Sequence, residues 1–554
     1  MKLVECVPNF SVGRNRAVID SIANAISSVE GATLLDVDPG ADTNRTVMTL
    51  IGEPEPVALA AFQGIRRAAE LIDMRLHSGT HARLGACDVC PFVPVRGVSM
   101  DECVALARGL GEWVAAELGV PVYLYEEAAS RPARRNLAEV RRGEYESIPD
   151  RLGDPAWKPD FGSLENCEGS GATIIGAREF LVACNFNLNT RDRRIAHDIA
   201  LDIREAGRAR RDANGKILRY KSGRARRKPG KLEHVKAVGW SMPEFGCTQV
   251  SVNLTNYRKT PLAELHAEIC RQAEKRGVRC TGSEIVGLVP QDCLLEAGRF
   301  FLRRAGKGAG VPRQELVRLA VQSLGLSELY PFEPQKKILE YRIPDPRPLV
   351  GSSLRDFADE LSSDSPAPGG GSVAALCGAL AASLACMVGQ LTVGKKGYQK
   401  VSEEMKRLGE RAQELKDDLL TAIDDDTAAF NQVMEALRLP RQTSEQKKNR
   451  AAAIQAATRQ ACEVPLRVMR TLVEVTNLAA AAATKGNKSS LSDAGVAGLC
   501  ARAATEGAYY NVVINLAGIK EKDYASKQGR EANRLLQQAI KTTDRISSHV
   551  RKSL

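Results

Sequence analysis

The sequence predicts an α/β protein of two βαββαβ lobes followed by an all-α helical bundle. Three observations predict it. Short apolar strands and amphipathic helices run twice in the order β-α-β-β-α-β, first over residues 1–125 and again over 180–290. A stretch rich in proline, 330–350, then breaks every regular pattern. Beyond it the composition turns Ala-rich and helical, without a strand signal. At 44% apolar and 26% charged residues the 554-residue chain has an ordinary globular composition. Collagen-like, low-complexity and wholly disordered classes are excluded.

In the first lobe LVECVP reads as a strand and 14–29 as an amphipathic helix. ATLLDV and TVMTLIG are strands, 56–72 is a helix with proline at its start, CDVCPFVPV is a strand and 100–118 a helix. This is the split βαβ order of ferredoxin-like folds. After a helical, Pro-spaced stretch at 126–160, FLVACNFNL opens a second round. Helix 195–206, strands HVKAVGW and QVSVNLTNY, helix 262–276 and strand SEIVGLVP complete it. Two similar lobes imply a crevice between them, a usual place for a ligand. The expected divisions are 1–179, 180–329 with an insertion at 209–229, a linker at 330–350 and a bundle at 351–554. Pro331, Pro334, Pro344, Pro346 and Pro348 make the linker extended.

The net charge of +11 is concentrated in one place. Residues 204–231 hold twelve Lys/Arg against Glu205 and Asp212, so the rest of the chain is close to neutral. An acidic partner would meet that segment. The fourteen cysteines sit mostly in apolar runs and MKLVECVPNF lacks the features of a signal peptide, which points to thiols in a reducing cytoplasm. Cys87-x-x-Cys90 has no second pair, so zinc is not expected there. SVAALCGALAASLACMVGQLTV is about as long as a membrane span of roughly 20 residues. Its side chains are mostly small, and a buried central bundle helix is expected rather than a span.

Several residues can carry chemistry. His77 and His81 lie four apart, but Gly79 opposes a helix between them, so a metal pair gives way to solvated loop histidines or a loop-borne general base. Asp36 and Asp38 follow a strand and either orient a base, bind a cation or cap a turn. The Gly-rich loop 162–171 fits no phosphate-loop or dinucleotide pattern and is by itself only an exposed backbone. In the α half, Met405, Leu408, Ala412, Leu415, Leu419, Ala422, Asp426, Phe430, Val433 and Leu437 recur at spacings of three and four. Asp426 thus falls on a buried stripe that Asp424 and Asp425 miss. A buried carboxyl has a raised pKa and suits acid/base work, unless a partner helix satisfies it. Gly370 and Ser372 open the Ala-rich helix, with Ser372 as its N-cap and the bare N–H groups open to an anion. Asn487, Asp493, Asn511 and Asn515 add polar groups in apolar surroundings.

VECVPNFS, LLDVD…TNRT, HARLGACDVCPFVPVRGV, GVPVYLY, GEY, WKPDFG, LDIREAGR and GSEIVGLVP resemble formiminotransferase. PAPGGGSVAA, the Asp-rich helix ending in MEALRLP, and NVVINL resemble formimidoyltetrahydrofolate cyclodeaminase. Together they resemble the bifunctional formimidoyltransferase-cyclodeaminase family, in its domain order and over nearly the whole chain. The resemblance implies transfer of a formimidoyl group from N-formimidoyl-L-glutamate to tetrahydrofolate, then closure to 5,10-methenyltetrahydrofolate with release of ammonia. It implies His81 as the transferase base and Asp426 as the cyclodeaminase acid/base. It also implies a folate-contacting loop of Gly162, Ser163, Leu164, Glu165, Asn166, Cys167, Glu168, Gly169, Ser170 and Gly171, with Gly230. Asp36 or Asp38 would orient His81, and Arg45 or Arg83 would clamp the carboxylates of the leaving amino acid. Reduced folate, polyglutamylated, is the co-substrate, and no metal is expected. A homo-oligomer, possibly a ring of eight, follows from the family.

The basic insertion would gather polyglutamylated folate, or is simply a solvated, mobile surface loop. Two alternatives compete with this reading. One is a transferase fused to a methenyltetrahydrofolate cyclohydrolase-like bundle. The other is a scaffold whose basic arm binds nucleic acid, for which only Tyr220 supplies an interleaved aromatic.

Overall fold

The structure, a computed structural model, describes residues 2–41, 43–79, 81–165, 167–220, 223, 225–343 and 348–554. The chain forms two compact units, Met1–Cys293 with Leu324–Arg342, and Leu294–Ser323 with Ile343–Leu554. Residues 294–323, assigned to the second lobe on sequence grounds, therefore pack with the helical unit.

In the first unit β1 (Leu3–Cys6), β2 (Asn9–Phe10), α1 (Arg16–Ser27), β3 (Ala32–Gly40), β4 (Arg45–Gly52), α2 (Pro54–Leu71), β5 (Cys87–Arg96) and α3 (Met100–Leu118) follow the expected order. β1 and β2 both lie between β4 and β5, antiparallel to each. They act as one strand interrupted at 7–8, where Pro8 has no N–H to give. β3 flanks β4. Two further strands, β6 (Val122–Glu126) and β7 (Thr173–Ala177), extend the sheet in parallel beyond β5. TIIGA is short, non-alternating and buried throughout, so no period marks it. Ile19, Ile22 and Ile26 of α1 and Phe62 and Ile65 of α2 pack on Val4, Phe10, Met48, Leu50 and Phe92. Trp113 of α3 stacks on Phe62 with ring centroids 3.7 Å apart.

The second lobe holds β8 (Val182–Leu188), α4 (Arg193–Ile203), β9 (Val235–Met242), β10 (Cys247–Leu254), α5 (Leu262–Glu274) and β11 (Cys280–Val286). Its sheet runs β9-β10-β8-β11, antiparallel throughout. The basic insertion is not a loose loop over its described residues. Arg208–Ala209 pairs with Arg227–Lys228, and Leu218 N–H donates to Arg210 O while Arg226 N–H donates to Leu218 O. Arg208 anchors its base on Asp198 and Asp202 of α4. Lys221, Ser222 and Arg224 lie outside the described residues.

The 330–350 stretch differs from an extended linker. It forms one-turn helices at Pro334–Lys337, Leu339–Arg342 and Pro348–Gly351. Proline is tolerated in a first helical turn, where its missing N–H has no partner to lose. Ile338 and Leu339 are buried, and Leu339 N–H donates to Val289 O. Pro344 and Pro346 lie outside the described residues.

The helical unit contains the larger parts of α6 (Gln291–Arg304) and α7 (Arg313–Leu324). To these it adds α8 (Gly370–Thr392), α9 (Ser402–Arg438), α10 (Ser444–Lys485), α11 (Leu491–Leu516) and α12 (Lys522–Ser553). By length and composition α8 could cross a membrane, and 61% of its apolar window is buried within the unit. It packs on α9, α10 and α11. Its small side chains permit this approach, since a Cβ at Gly378 would sit 2.7 Å from Leu472 Cδ2.

The stacked, unexposed Phe62 supports α2 and α3 together. Phe62→Ala is predicted to cost about 3–5 kcal/mol, read as a lower midpoint in denaturant unfolding of the first unit. Leu76→Ala, at an 84% exposed site, should stay within about 0.5 kcal/mol of the parent.

Candidate active sites

A cleft of about 470 Å3 opens between the two lobes of the first unit. Glu5, Asn9, Asp36, Asp38, Arg45, His81, Tyr125, Arg141 and Arg178 face it from one side, and Phe180, Ala183, Asn253 and Leu288 from the other. His81 Nδ1 lies 2.7 Å from Ala82 O. A carbonyl only accepts, so Nδ1 carries the proton and Nε2 keeps its lone pair. Burial, then the positive charge of Arg45, lowers the His81 pKa to about 4, against the opposing pull of the Ala82 carbonyl. The imidazole is therefore neutral near pH 7.

Beside it Asp88, with no exposed surface, holds two guanidinium groups. Arg45 Nη1 and Arg141 Nη2 both donate to Asp88 Oδ2, Arg141 Nε donates to Oδ1 at 3.1 Å, and Leu84 N–H donates to Oδ1 at 2.9 Å. Arg45 also donates to Asn9 Oδ1 at 2.8 and 3.1 Å. Burial alone would raise the Asp88 pKa, but Arg141 and Arg45 outweigh it and hold it below the usual range. One carboxylate between two guanidinium groups leaves a local surplus of positive charge beside His81, in a cleft that Glu5, Asp36 and Asp38 also line.

Other sequence candidates are placed differently. Asp36 and Asp38 line the cleft, but the His81 Nδ1 proton goes to Ala82 O, so neither aspartate orients the ring. Burial, then Asp38, raises the Asp36 pKa. Arg83 is held away from this cleft. It pairs with Glu144 and Glu146 and donates to His77 Nδ1 at 3.2 Å, outside the walls of the cleft. That bond makes His77 Nε2 the protonated nitrogen, donating to Asn44 O at 2.9 Å. Both histidines are thus committed to separate partners and do not form a ligand pair. Cys87 is buried, and Cys90 Sγ lies 3.4 Å from Cys6 Sγ. Burial lifts the Cys87 thiol well above its ordinary pKa, as the Cys6 contact and burial do for Cys90.

The described residues of loop 162–171 are not cleft walls; they knit to the segment that carries His81. Met74 N–H donates to Gly169 O and Ala86 N–H to Ser170 O, both at 2.7 Å. Leu164 and Cys167 are buried, whereas Gly162, Ser163, Glu165 and Glu168 are exposed. Gly171, at φ +66°, passes so close to strand-leading residues that a Cβ would lie 2.4 Å from Leu84 O. Asn166 lies outside the described residues, as does Thr80 beside His81. Gly230 sits at the base of the basic insertion, where a Cβ would lie 2.0 Å from Arg204 O.

In the helical unit Asp426 of α9 faces the first turn of α8. A Cβ at Gly371 would lie 2.2 Å from Asp426 Oδ1, so glycine is what admits the carboxyl. Ser372 Oγ donates to Ile423 O at 2.9 Å and lies 3.3 Å from Asp426 Oδ2. Burial raises the Asp426 pKa, with the Ser372 hydrogen bonds opposing. Gly369, not Ser372, is the N-cap of α8. A Cβ at Gly370 would stand 3.5 Å from Asn511 Nδ2, which brings Asn511 to the same helix start.

Asp426 is half-buried, and the more buried carboxylate is Asp424, which accepts from Leu349 N and Val350 N at 3.1 and 3.2 Å. Asp424 thus holds the start of a one-turn helix. Beyond Asp426 the buried positions shift to Ala429 and Ala436, and Leu437 is exposed. Asn515 ties α11 to α10 through Ala461 O at 2.9 Å. Asn487 accepts from Lys395 Nζ at 2.6 Å, and its N–H donates to Thr392 Oγ1, at the far end of α8. At about 1.5 Å per residue, that end is roughly 33 Å from Gly370. Asp493, in the first turn of α11, is likewise far from Asn511. Neither belongs to the Asp426 site.

Glu5, Asn9, Asp88, Arg141 and Arg178 were not singled out by pattern. Glu5 in LVEC and Asp88 in CDVC are charges inside apolar strands, the signal that could have found them. Burial raises the Glu5 pKa to about 7, with Arg178 opposing and Glu340 adding.

A neutral imidazole beside cations in one unit and a raised carboxyl at a helix start in the other are two candidate centres for handling protons. Family models for the formiminotransferase domain match residues 3–178 (its N-terminal subdomain) and 183–344, and one for formiminotransferase-cyclodeaminase matches 353–534. The chain is 43% identical to formimidoyltransferase-cyclodeaminase of Rattus norvegicus over 97% of both chains. Glutamate formimidoyltransferase of Streptococcus pyogenes is 40% identical over 54% of this chain and 94% of its own length. Methenyltetrahydrofolate cyclohydrolase of Methylorubrum extorquens is 41% identical over 36% of this chain and 97% of its own. The chain belongs to the formimidoyltransferase-cyclodeaminase family.

The His81 environment makes a direct prediction. An NMR titration of its ring should show a midpoint near 4, whereas the unfolded chain takes that proton near the ordinary value of about 6.5. Between those limits the unfolded state binds more protons, so His81 makes stability rise with pH across that window. A midpoint near 6.5 in the folded protein would contradict the site as described.

Proposed function

We propose that the chain is a bifunctional folate enzyme of histidine degradation. It moves the formimidoyl group of N-formimidoyl-L-glutamate to tetrahydrofolate, then cyclises 5-formimidoyltetrahydrofolate to 5,10-methenyltetrahydrofolate and releases ammonia. Identity of 43% to a full-length relative supports the pair of activities. The observation that carries the residue assignment is His81, neutral, with Nε2 unprotonated beside the guanidinium groups of Arg45 and Arg141.

In the transfer, N5 of the folate attacks the amidine carbon and loses its proton to His81 Nε2. The same proton returns to the nitrogen of glutamate as the carbon–nitrogen bond breaks. Arg45, Arg141 and Arg178 face the carboxylates of the donor. In the second step N10 attacks the formimidoyl carbon. Asp426 takes the N10 proton and delivers one to the departing ammonia, a role that suits a carboxyl raised by burial. Ser372 and Asn511 orient the folate at the first turn of α8. The backbone of 162–171, with Gly230, contacts the folate of the transferase step; its knitting to 74–86 supports this reading.

We read both lobes as ferredoxin-like, supported by the matching orders β3-β4-β1-β5 and β9-β10-β8-β11. The basic insertion gathers polyglutamylated folate, supported by its concentrated charge. Arg226 covers the Tyr220 ring at 5.2 Å, which occupies one face of the aromatic a nucleic-acid arm would use for stacking. A homo-oligomer, with eight subunits as the family arrangement, is supported by Leu380, Met387, Leu391, Leu499, Tyr510 and Ile514, exposed on α8 and α11. Fourteen free cysteines fit a cytoplasmic location. The second reading, a cyclohydrolase-like bundle, rests on the 41% identical cyclohydrolase relative, and ammonia release from 5-formimidoyltetrahydrofolate distinguishes the two.

His81→Ala should lower transfer by about 10²–10⁴-fold and leave cyclisation of supplied 5-formimidoyltetrahydrofolate intact. Asp426→Asn should do the reverse. A folded variant that loses both activities contradicts this division of labour. Replacing Arg210, Arg211 and Arg219 with Gln should raise KM about tenfold for polyglutamyl folate and leave that for monoglutamyl folate unchanged. Equal effects on both reject the role of the insertion.

A further inference from the structure

Away from both candidate sites, three soft donors meet in the second lobe. His266 and Cys270 lie four residues apart on α5, so they share a face of the helix. Cys280 opens β11, the edge strand of the four-stranded sheet, where the register shifts between Cys280 and Gly282. One ligand atom from each of the three lies within 4.8 Å of the other two. Cys270 Sγ is 3.6 Å from His266 Nε2 and 3.9 Å from Nδ1.

Those distances have a specific meaning. A tetrahedral zinc ion with sulfur at about 2.3 Å and nitrogen at about 2.0–2.1 Å sets its sulfur and nitrogen ligands roughly 3.6 Å apart. The His266–Cys270 pair already stands at that separation. All three residues are half-buried, so an ion can enter from solvent. The carboxylates of Glu274 and Glu328 act on Cys270 and Cys280 respectively, which adds negative charge around a dication. Two thiolates and an imidazole select zinc over magnesium or calcium, which prefer oxygen.

We propose that His266, Cys270 and Cys280 form a site for one Zn2+ ion, with the fourth position left to water. Both sulfurs bind as thiolates, a proton still held by either thiol passing to solvent, and two zinc–sulfur bonds and one zinc–nitrogen bond form with no change of oxidation state. The ion clasps α5 to the irregular start of an edge strand across the 275–279 connection. The role is structural and leaves the formimidoyl chemistry to the cleft.

The test is equilibrium dialysis of the reduced full-length chain against Zn2+ alone, with metal counted by atomic spectroscopy. One tightly held ion per chain is expected. Cys270→Ser, Cys280→Ser and His266→Gln should each weaken it by more than the roughly 10–100-fold that loss of an outer partner causes. Cys247→Ser should keep it. Cobalt in place of zinc should add a thiolate-to-metal absorption band that the same variants lose, and circular dichroism verifies that each is folded. No uptake by the parent chain, or equal uptake by the parent and all three ligand variants, overturns the proposal. So does a parent chain whose Cys270 and Cys280 are recovered as a disulfide after reduction and dialysis with zinc.

Discussion

The transferase cleft depends on a single buried carboxylate. Asp88, without exposed surface, anchors Arg45 from β4, Arg141 from the helical stretch after β6, and the Leu84 N–H that leads into its own strand. Removing one partner of a buried charge pair typically costs about 3–5 kcal/mol because the other is stranded. Here two cations would be stranded at once. The arrangement is also unbalanced by design of its charges: two guanidinium groups share one carboxylate, and the surplus faces the cleft. That surplus does two things. It opposes a proton on His81, and in the proposed transfer it would face the anionic donor.

The two centres use the same physical lever in opposite chemical settings. Burial disfavours whichever form is charged. It lowers the imidazole of His81 and raises the carboxyl of Asp426, so both are moved toward neutrality. A neutral imidazole is ready to accept a proton from an attacking nitrogen. A carboxyl raised by burial can take one proton and give another. Each is positioned by a close backbone approach that needs glycine: Gly85 and Gly171 beside the His81 segment, and Gly371 against the Asp426 carboxyl.

Much of this was readable from the residues. The strand and helix order of both lobes followed from period and punctuation, and His81 and Asp426 stood out by loop chemistry and by position on a stripe. What escaped did so for identifiable reasons. Periodicity within α9 cannot see the Leu349 and Val350 N–H groups that bury Asp424, because they arrive from a distant stretch of chain. Asn487 and Asp493 look like neighbours of Asn511 in sequence, yet α8 and α11 are long enough to separate them by the length of the bundle. Arg83 sits in the same motif as His81, but Glu144 and Glu146 claim it. Glu5 and Asp88 are charges inside short apolar strands, where strand patterning alone gives them no role. The His266, Cys270 and Cys280 cluster combines a helix face with a residue across a turn, a spacing that matches no simple ligand pattern.

The guanidinium surplus around Asp88 helps to keep His81 unprotonated. The most direct measurement is the ring titration of His81 in Arg45→Gln. Removing this cation should move the midpoint upward from about 4 toward the ordinary histidine range, while burial keeps it below that range. A midpoint that stays where it is, or falls, would show that the charges of the cleft do not govern the base.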